Sequence, residues 1–224
     1  TPRSSSAASD VYKRQLFGRS LTKNYSLWLH AASVGEMKIA INVSKYLIEK
    51  GHKDILITSN TPSSEFIFKE SNLNGVTHCY LPFDFFFATK KFVKSVSADL
   101  LIIIETEIWP NLYSLCKKNK TNIITINGRF NPPQGLLGLM SKKLYMSTLD
   151  KINHIYCKSE RDVSAFKDYI DESKISLAGN IKHSLVSNDV SEERIVDKKY
   201  VLLASSHHSC LLYTSDAADE LLGV

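Results

Sequence analysis

The chain has 224 residues, of which 43% are hydrophobic and 23% charged, a balance that suits a soluble globular protein with one large or two small domains. A net charge of +5 and a pI near 8.9 are too mildly basic for a nucleic-acid binder, and no Lys/Arg run with interleaved aromatics occurs. Cys79, Cys116, Cys157 and Cys210 lie far apart with no CxxC pair, so they read as reduced thiols of a cytosolic protein, and no run of about 18 apolar residues offers a transmembrane helix.

Residues 1–15, TPRSSSAASDVYKRQ, are polar and aperiodic, and residues 209–224 follow a strand-like run with no turn signal. Both stretches read as foreign sequence and are set aside from fold reasoning. The authentic part is expected to run from Leu16 to His208, with the gene cut at both ends.

Within it, apolar strand-like runs alternate with helix-like segments. SLWLH reads as the first strand. A helix over Glu36 to Lys50 follows, with Met37, Ala40, Ile41, Ser44, Leu47 and Ile48 on one face and Gly51 as its stop. DILIT is a second strand, and Thr61-Pro62 opens the next helix with Pro at its first position. THCYL is a third strand, followed by a helix near Ala88 to Val96. DLLIII is apolar throughout, as a parallel strand covered on both faces should be. The remaining elements are a helix from Pro110 to about Lys118, a strand NIITIN, a helix near Leu139 to Leu149, a strand HIYCK, a helix from Ser159 to Tyr169 and a strand KISLAG. A last run, KYVLLAS, begins after the polar stretch 187–199.

This alternation predicts an α/β fold, a Rossmann-like parallel sheet with helices on both faces. It spans 16–186, and 187–208 read as a linker and the first strand of a second domain. Sites in such sheets form outside the C-terminal strand edges. The loops that matter are therefore 31–36, 59–63, 82–87, 105–111 and 127–138.

HAASVGE, in the first of these, lets a backbone approach a ligand closely, and Gly35 permits unusual dihedrals. Glu36 in the first turn of a helix is stabilised as a carboxylate. It reads either as a cap or as a group that accepts a proton from a substrate hydroxyl. No GxxxxGK[ST] or GxGxxG pattern is present, which argues against a nucleotide P-loop. In IIIETEIWPNLY, Glu105 and Glu107 stand at the end of the most apolar strand, either as site carboxylates or as solvated loop acids. Arg129 of TINGRFNPP can hold an anion with its planar fork or simply lie at the surface. Lys182, after the Gly179-Asn180 turn, is non-specific alone. LPFDFFFATKKFVK reads as core or as a basic aromatic surface that rests on anionic lipid.

The order WLHAASVGE, LPFD, ETEIWPN, NGR, GNIKH resembles the Kdo (3-deoxy-D-manno-octulosonic acid) transferases of lipopolysaccharide synthesis, over roughly Leu16 to His208. LASSHH is similar to the start of that family's Ser-[ST]-His-x-Gly-Glu segment. The resemblance implies the N-terminal half of a GT-B glycosyltransferase, inverting, with no metal and no cofactor. It would transfer Kdo from CMP-Kdo to lipid A precursor at the cytoplasmic face of the inner membrane, with the membrane surface and no nucleic acid as partner. By the same resemblance Glu36 is the general base. Ser33, Gly35, Glu105, Glu107, Arg129, Asn180 and Lys182 bind substrate, and Arg129 and Lys182 meet anionic groups. The chain departs from the family pattern at NGRFNPPQGLLG and at His183-Ser184. Lacking most of the donor half, it is expected not to turn over CMP-Kdo alone. Two rival readings use the same architecture. One is another GT-B nucleotide-sugar enzyme. The other is a non-enzymatic flavodoxin-like binding module, which requires Glu36 and Glu107 to face different sides of the sheet.

Overall fold

The computed structural model describes residue 21, residues 23–132 and residues 134–181. Both ends of the chain, Lys182, the polar stretch 187–199 and KYVLLAS lie outside the described residues.

Among the described residues, seven strands form one parallel sheet: β1 Leu27–Ala31, β2 Ile55–Ser59, β3 Val76–Tyr80, β4 Leu100–Ile104, β5 Asn122–Gly128, β6 His154–Cys157 and β7 Ile175–Leu177. Six helices alternate with them: α1 Val34–Glu49, α2 Pro62–Glu70, α3 Phe86–Val96, α4 Pro110–Lys118, α5 Gly135–Leu149 and α6 Glu160–Lys167, and a 3-10 turn at Glu172–Lys174 precedes β7. The strand order is β3-β2-β1-β4-β5-β6-β7. β1 and β2 are buried along their whole length, and β4 everywhere but its first residue. That follows from their sequences: with helices on both sides, every position of a parallel strand meets apolar neighbours, so no polar alternation survives.

Alternation within each strand divides the core into two layers. Leu27, Leu29 and Ala31 pack with Ile55, Ile57, Ile102 and Ile104 under Met37, Ile39, Ala40 and Ile41 of α1. Trp28, Leu56, Leu101, Ile103, Ile123 and Ile155 face the other way, under Phe92, Leu112, Tyr113, Leu149 and Phe166 of α3 to α6. The chain changes face in the crossover from β3 to β4. The loops after β1 and β4, neighbours in the sheet, therefore leave toward opposite layers and open a crevice between them.

Among the described residues, the expected elements from SLWLH to KISLAG are present within a few residues. Gly51 stops α1 with φ of 88°, and Pro62 opens α2 beneath a Thr61 cap. Two limits shift. α5 starts a full turn earlier than Leu139, at Gly135, and α6 ends at Lys167 rather than Tyr169.

Candidate functional site

The crevice between β1 and β4 is where the sequence motifs converge. After β1 the chain turns through Ala32 and Ser33 into α1. Ser33 is the N-cap; its hydroxyl accepts the Glu36 N–H at 3.3 Å and donates to Glu36 Oε1 at 2.7 Å. The Ala32 N–H donates to Glu36 Oε2 at 2.7 Å. This is a capping box closed by the acid itself. Glu36 is only 7% exposed, and two donors fix its carboxylate at the crevice. Each carboxylate oxygen keeps a second lone pair, so the group can still receive a proton from outside. Gly35 does not take the unusual dihedrals expected of it. It is the second residue of α1, outside the left-handed region, and its contribution is a bare, exposed first turn.

β4 ends at Ile104, and Glu105 swings into the left-handed region with φ of 63°. Its N–H still reaches Ile126 O at 2.9 Å, but the strand goes no further. Glu105 and Glu107 therefore do not follow strand alternation. Asn127 Nδ2 donates to Glu105 Oε1 at 3.5 Å. The Glu107 carboxyl is pushed up from 4.5 to about 7, first by burial and then by the charge of Glu36. The charge of Glu36 thus reaches Glu107. A group that titrates near neutrality beside a fixed carboxylate suits proton traffic.

The acidic loop is held from three sides. The Tyr113 hydroxyl donates to Glu107 O at 2.5 Å. Arg129 N–H donates to Thr106 Oγ1 at 3.2 Å. Asp84 of LPFD caps α4 from another element, accepting Asn111 N–H at 2.9 Å and Leu112 N–H at 2.8 Å, while Asn111 Nδ2 donates to Asp84 O at 2.6 Å. Two motifs read separately in the sequence, LPFD and WPN, are therefore one joint. Asp84 and Asn127 received no role from sequence reasoning. Asp84 caps a helix 27 residues away, which no local pattern reveals. Asn127 left one trace, an Asn-Gly pair at a strand end. It is fully buried with φ of 55°, and its Oδ1 accepts Ile181 N–H at 3.3 Å, which ties the Gly179-Asn180 turn to the site edge. Asn180 is half-buried there.

His30 is the other residue without a sequence-based role. It is fully buried beneath Trp109, with ring centroids 6.3 Å apart, and its Nδ1 lies 2.9 Å from Thr58 Oγ1. Burial pulls its imidazole down to about 4, so it stays neutral near pH 7. Arg129 is exposed and lines a separate polar cavity with Lys158 and Arg161. Of the described cysteines, Cys116 and Cys157 are pushed up to about 12 and about 11 by burial, which keeps them thiols. Among the described residues, no three His, Cys, Asp or Glu side chains are grouped to hold a metal ion.

Comparisons with known proteins point one way. Residues 9–185 match the family described as "3-Deoxy-D-manno-octulosonic-acid transferase (kdotransferase)". The 3-deoxy-D-manno-octulosonic acid transferase of Rickettsia bellii is 30% identical over 209 residues, which is 88% of this chain and 49% of that protein. Its counterpart in Rickettsia conorii is 30% identical over 190 residues, 81% of this chain and 40% of the other. A bifunctional glycosyltransferase/methyltransferase of Fusobacterium nucleatum is 28% identical over 181 residues, 77% of this chain and 27% of its own. The chain therefore spans half or less of the length of these relatives. Among solved structures, a glycosyltransferase from Rickettsia africae aligns with a TM-score of 0.53 and 19% identity over 70% of this chain and 43% of that one, a likeness of fold.

Proposed function

The chain belongs to the Kdo transferase family, and on that premise we propose that it is the acceptor-side half of an inverting GT-B transferase with Glu36 as general base. In this reading Glu36 takes the proton of an acceptor hydroxyl on lipid A precursor. The freed oxygen pair bonds to the anomeric carbon of Kdo, the bond from that carbon to the CMP phosphate oxygen breaks, and CMP leaves with the electrons. The donor is held mostly by a second domain, so the 224-residue chain alone should not turn over CMP-Kdo. Glu107 retains a proton near neutrality, which relieves repulsion at Glu36 and leaves one carboxylate as acceptor and one as donor of hydrogen bonds. Ser33 and Gly35 form the open turn over which substrate passes, and Glu105, Arg129, Asn180 and Lys182 bind other parts of the substrate.

The observation that carries this reading is the Glu36 carboxylate: fixed by Ala32 N–H and the Ser33 hydroxyl, at the switch point, in the field of Glu107. A membrane-bound acceptor fits the surface at the same edge. Phe85, Phe86 and Phe87 are exposed at the start of α3, Phe87 at 84%, beside Lys90 and Lys91, and Leu136, Leu139 and Met140 are exposed at the start of α5. Helix starts that follow parallel strands lie at the C-terminal strand edge, so both apolar groups rim the site edge. Lipid with anionic headgroups at the inner face of the inner membrane is the partner this chemistry suits.

The test is Glu36→Gln at the matching position of a full-length relative. Gln keeps size and capping ability but accepts no proton, so transfer of Kdo should fall by at least about 100-fold with folding intact. Near-normal turnover would remove Glu36 from the base role.

A further inference from the structure

Two residues other than glycine take left-handed backbone at the ends of neighbouring strands: Glu105 after β4, with φ of 63°, and Asn127 in β5, with φ of 55°. Such backbone is sparsely populated for residues with a Cβ and persists where surrounding contacts hold it. At Asn127 the pairing of β5 with β6 also shifts, between Thr125 and Gly128. A shift of this kind re-aims a side chain out of strand alternation. The backbone on either side stays tied. Ile126 O accepts Glu105 N–H at 2.9 Å, and Gly128 O accepts Lys158 N–H at 2.9 Å. The Asn127 side chain is fully buried between two partners: Nδ2 donates to Glu105 Oε1 at 3.5 Å, and Oδ1 accepts Ile181 N–H, 54 residues further along the chain, at 3.3 Å. Only one orientation of the amide serves both. Turned over, it would set oxygen against a carboxylate and N–H against N–H. The Gly179-Asn180 turn is anchored on its other side, where Ala178 and Gly179 N–H both donate to Cys157 O, at 2.9 and 3.2 Å. One buried amide thus bridges an acid at the end of β4 and a turn beyond β7.

We propose that Asn127 is a positioning residue, which holds the Glu105 carboxylate and the Gly179-Asn180 turn at a fixed spacing so that the two grip the acceptor as one unit. The proposal rests on the acceptor-side reading above, in which Glu105 and Asn180 bind substrate. Groups fixed before substrate arrives spend less binding energy on their own ordering. Asparagine combines tolerance of left-handed backbone with a donor and an acceptor on one short stem. Glycine accepts that backbone more readily still but brings neither group. Aspartate shares the tolerance and the acceptor, and when ionised it offers the Glu105 carboxylate no donor. The two links can therefore be cut separately. Asn127→Gly cuts both and keeps the backbone. Asn127→Asp keeps the bond from Ile181 N–H and sets a like charge against Glu105.

Backbone-amide hydrogen exchange of the 224-residue chain reads the link to the turn. The Ile181 amide should exchange at least about tenfold faster in Asn127→Gly than in wild type, and within about threefold of wild type in Asn127→Asp. Equal rates in wild type and Asn127→Gly, or equal acceleration in both variants, overturn the proposal. Steady-state transfer by a full-length relative with Asn and Glu at the matching positions reads the link to Glu105. Asn127→Gly and Asn127→Asp should each raise KM for a lipid A precursor acceptor about tenfold, with kcat changed less than about threefold, because the loss falls on binding. Adding Asn127→Asp to Glu105→Ala should raise KM no further than Glu105→Ala does alone, since the aspartate acts only through that carboxylate. An unchanged KM in Asn127→Gly means that the position serves the backbone turn alone and overturns the proposal. So does a double variant in which the two effects multiply. The general-base reading is judged separately, by transfer in the Glu36→Gln enzyme. Normal transfer there, with the KM and exchange changes present, removes the base and leaves the positioning role. Lost transfer there, with KM and exchange unmoved by Asn127→Gly, does the reverse.

Discussion

Replacing Glu107 by Gln should make this protein more stable, and only at neutral to alkaline pH. Burial first, and the charge of Glu36 second, raise the Glu107 carboxyl from 4.5 to about 7. The folded protein therefore keeps this proton while the unfolded chain releases it. Below about pH 4.5 both states hold the proton and Glu107 contributes nothing. Between 4.5 and 7 the unfolded state binds fewer protons than the native one, so stability falls as pH rises. Above 7 the loss is complete. A displacement of that size corresponds to at most about 3 kcal/mol, and for a half-buried group screened by solvent about 1–2 kcal/mol is realistic. Gln keeps the shape and carries no charge in either state. The variant should match wild type at pH 4.5 and exceed it by about 1–2 kcal/mol at pH 8, or about 3–6 °C in Tm for a domain this size. His30 and His78, both pulled down to about 4 by burial, destabilise the fold as pH falls from 6.5 toward 4, but that contribution is common to both proteins and cancels in the difference. Urea unfolding of the two chains at pH 4.5, 6 and 8 measures it. A gap that is the same at all three values, or that favours wild type at pH 8, refutes the reasoning.

Two structural predictions test how the edge is held. Gly128→Ala places a Cβ 3.0 Å from Ile155 Cγ2 and 3.3 Å from Tyr156 O, so β5 and β6 must separate locally, at a cost of about 1–3 kcal/mol by urea unfolding. Asp84→Ala removes the acceptor of two first-turn N–H groups of α4 and should cost about 1–2 kcal/mol, with amide exchange of Asn111 and Leu112 rising before that of Tyr113.

β1, β2 and β4 were legible as short, continuously apolar runs, because strands covered on both faces need nothing subtler. The first turn of α5 was not. Gly135-Leu136-Leu137-Gly138 carries no helical period, and Leu136, Leu139 and Met140 remain exposed on the helix, so no buried stripe marked it. Glu36 was legible as a helix cap, and the carboxylate that closes the cap is the one proposed as the base. Asp84 and Asn127 were hidden for one reason. Their partners, Asn111, Leu112, Glu105 and Ile181, come from other elements, and such contacts exist only after the sheet has ordered its loops.

A helix start after a parallel strand ordinarily offers free N–H groups to a phosphate. Here the chain fills that place with its own carboxylate: Ser33 takes the Glu36 N–H, and Glu36 takes Ala32 N–H and the Ser33 hydroxyl. An anion from outside would meet Glu36 and, beside it, Glu107. The same substitution of an internal acid for a ligand recurs at α6, where Ser159 and Asp162 close the helix end. At both helix starts an acid of the first turn therefore stands where an outside anion would approach. Positive charge at this edge is instead supplied by the side chains of Arg129, Lys158 and Arg161. Separating the two clusters has a physical benefit. A carboxylate acts as a base only while no cation is locked against it, and cations attract anions best where no free carboxylate competes. Distance along the sheet, set by strand spacing alone, keeps the acidic and the basic cluster apart.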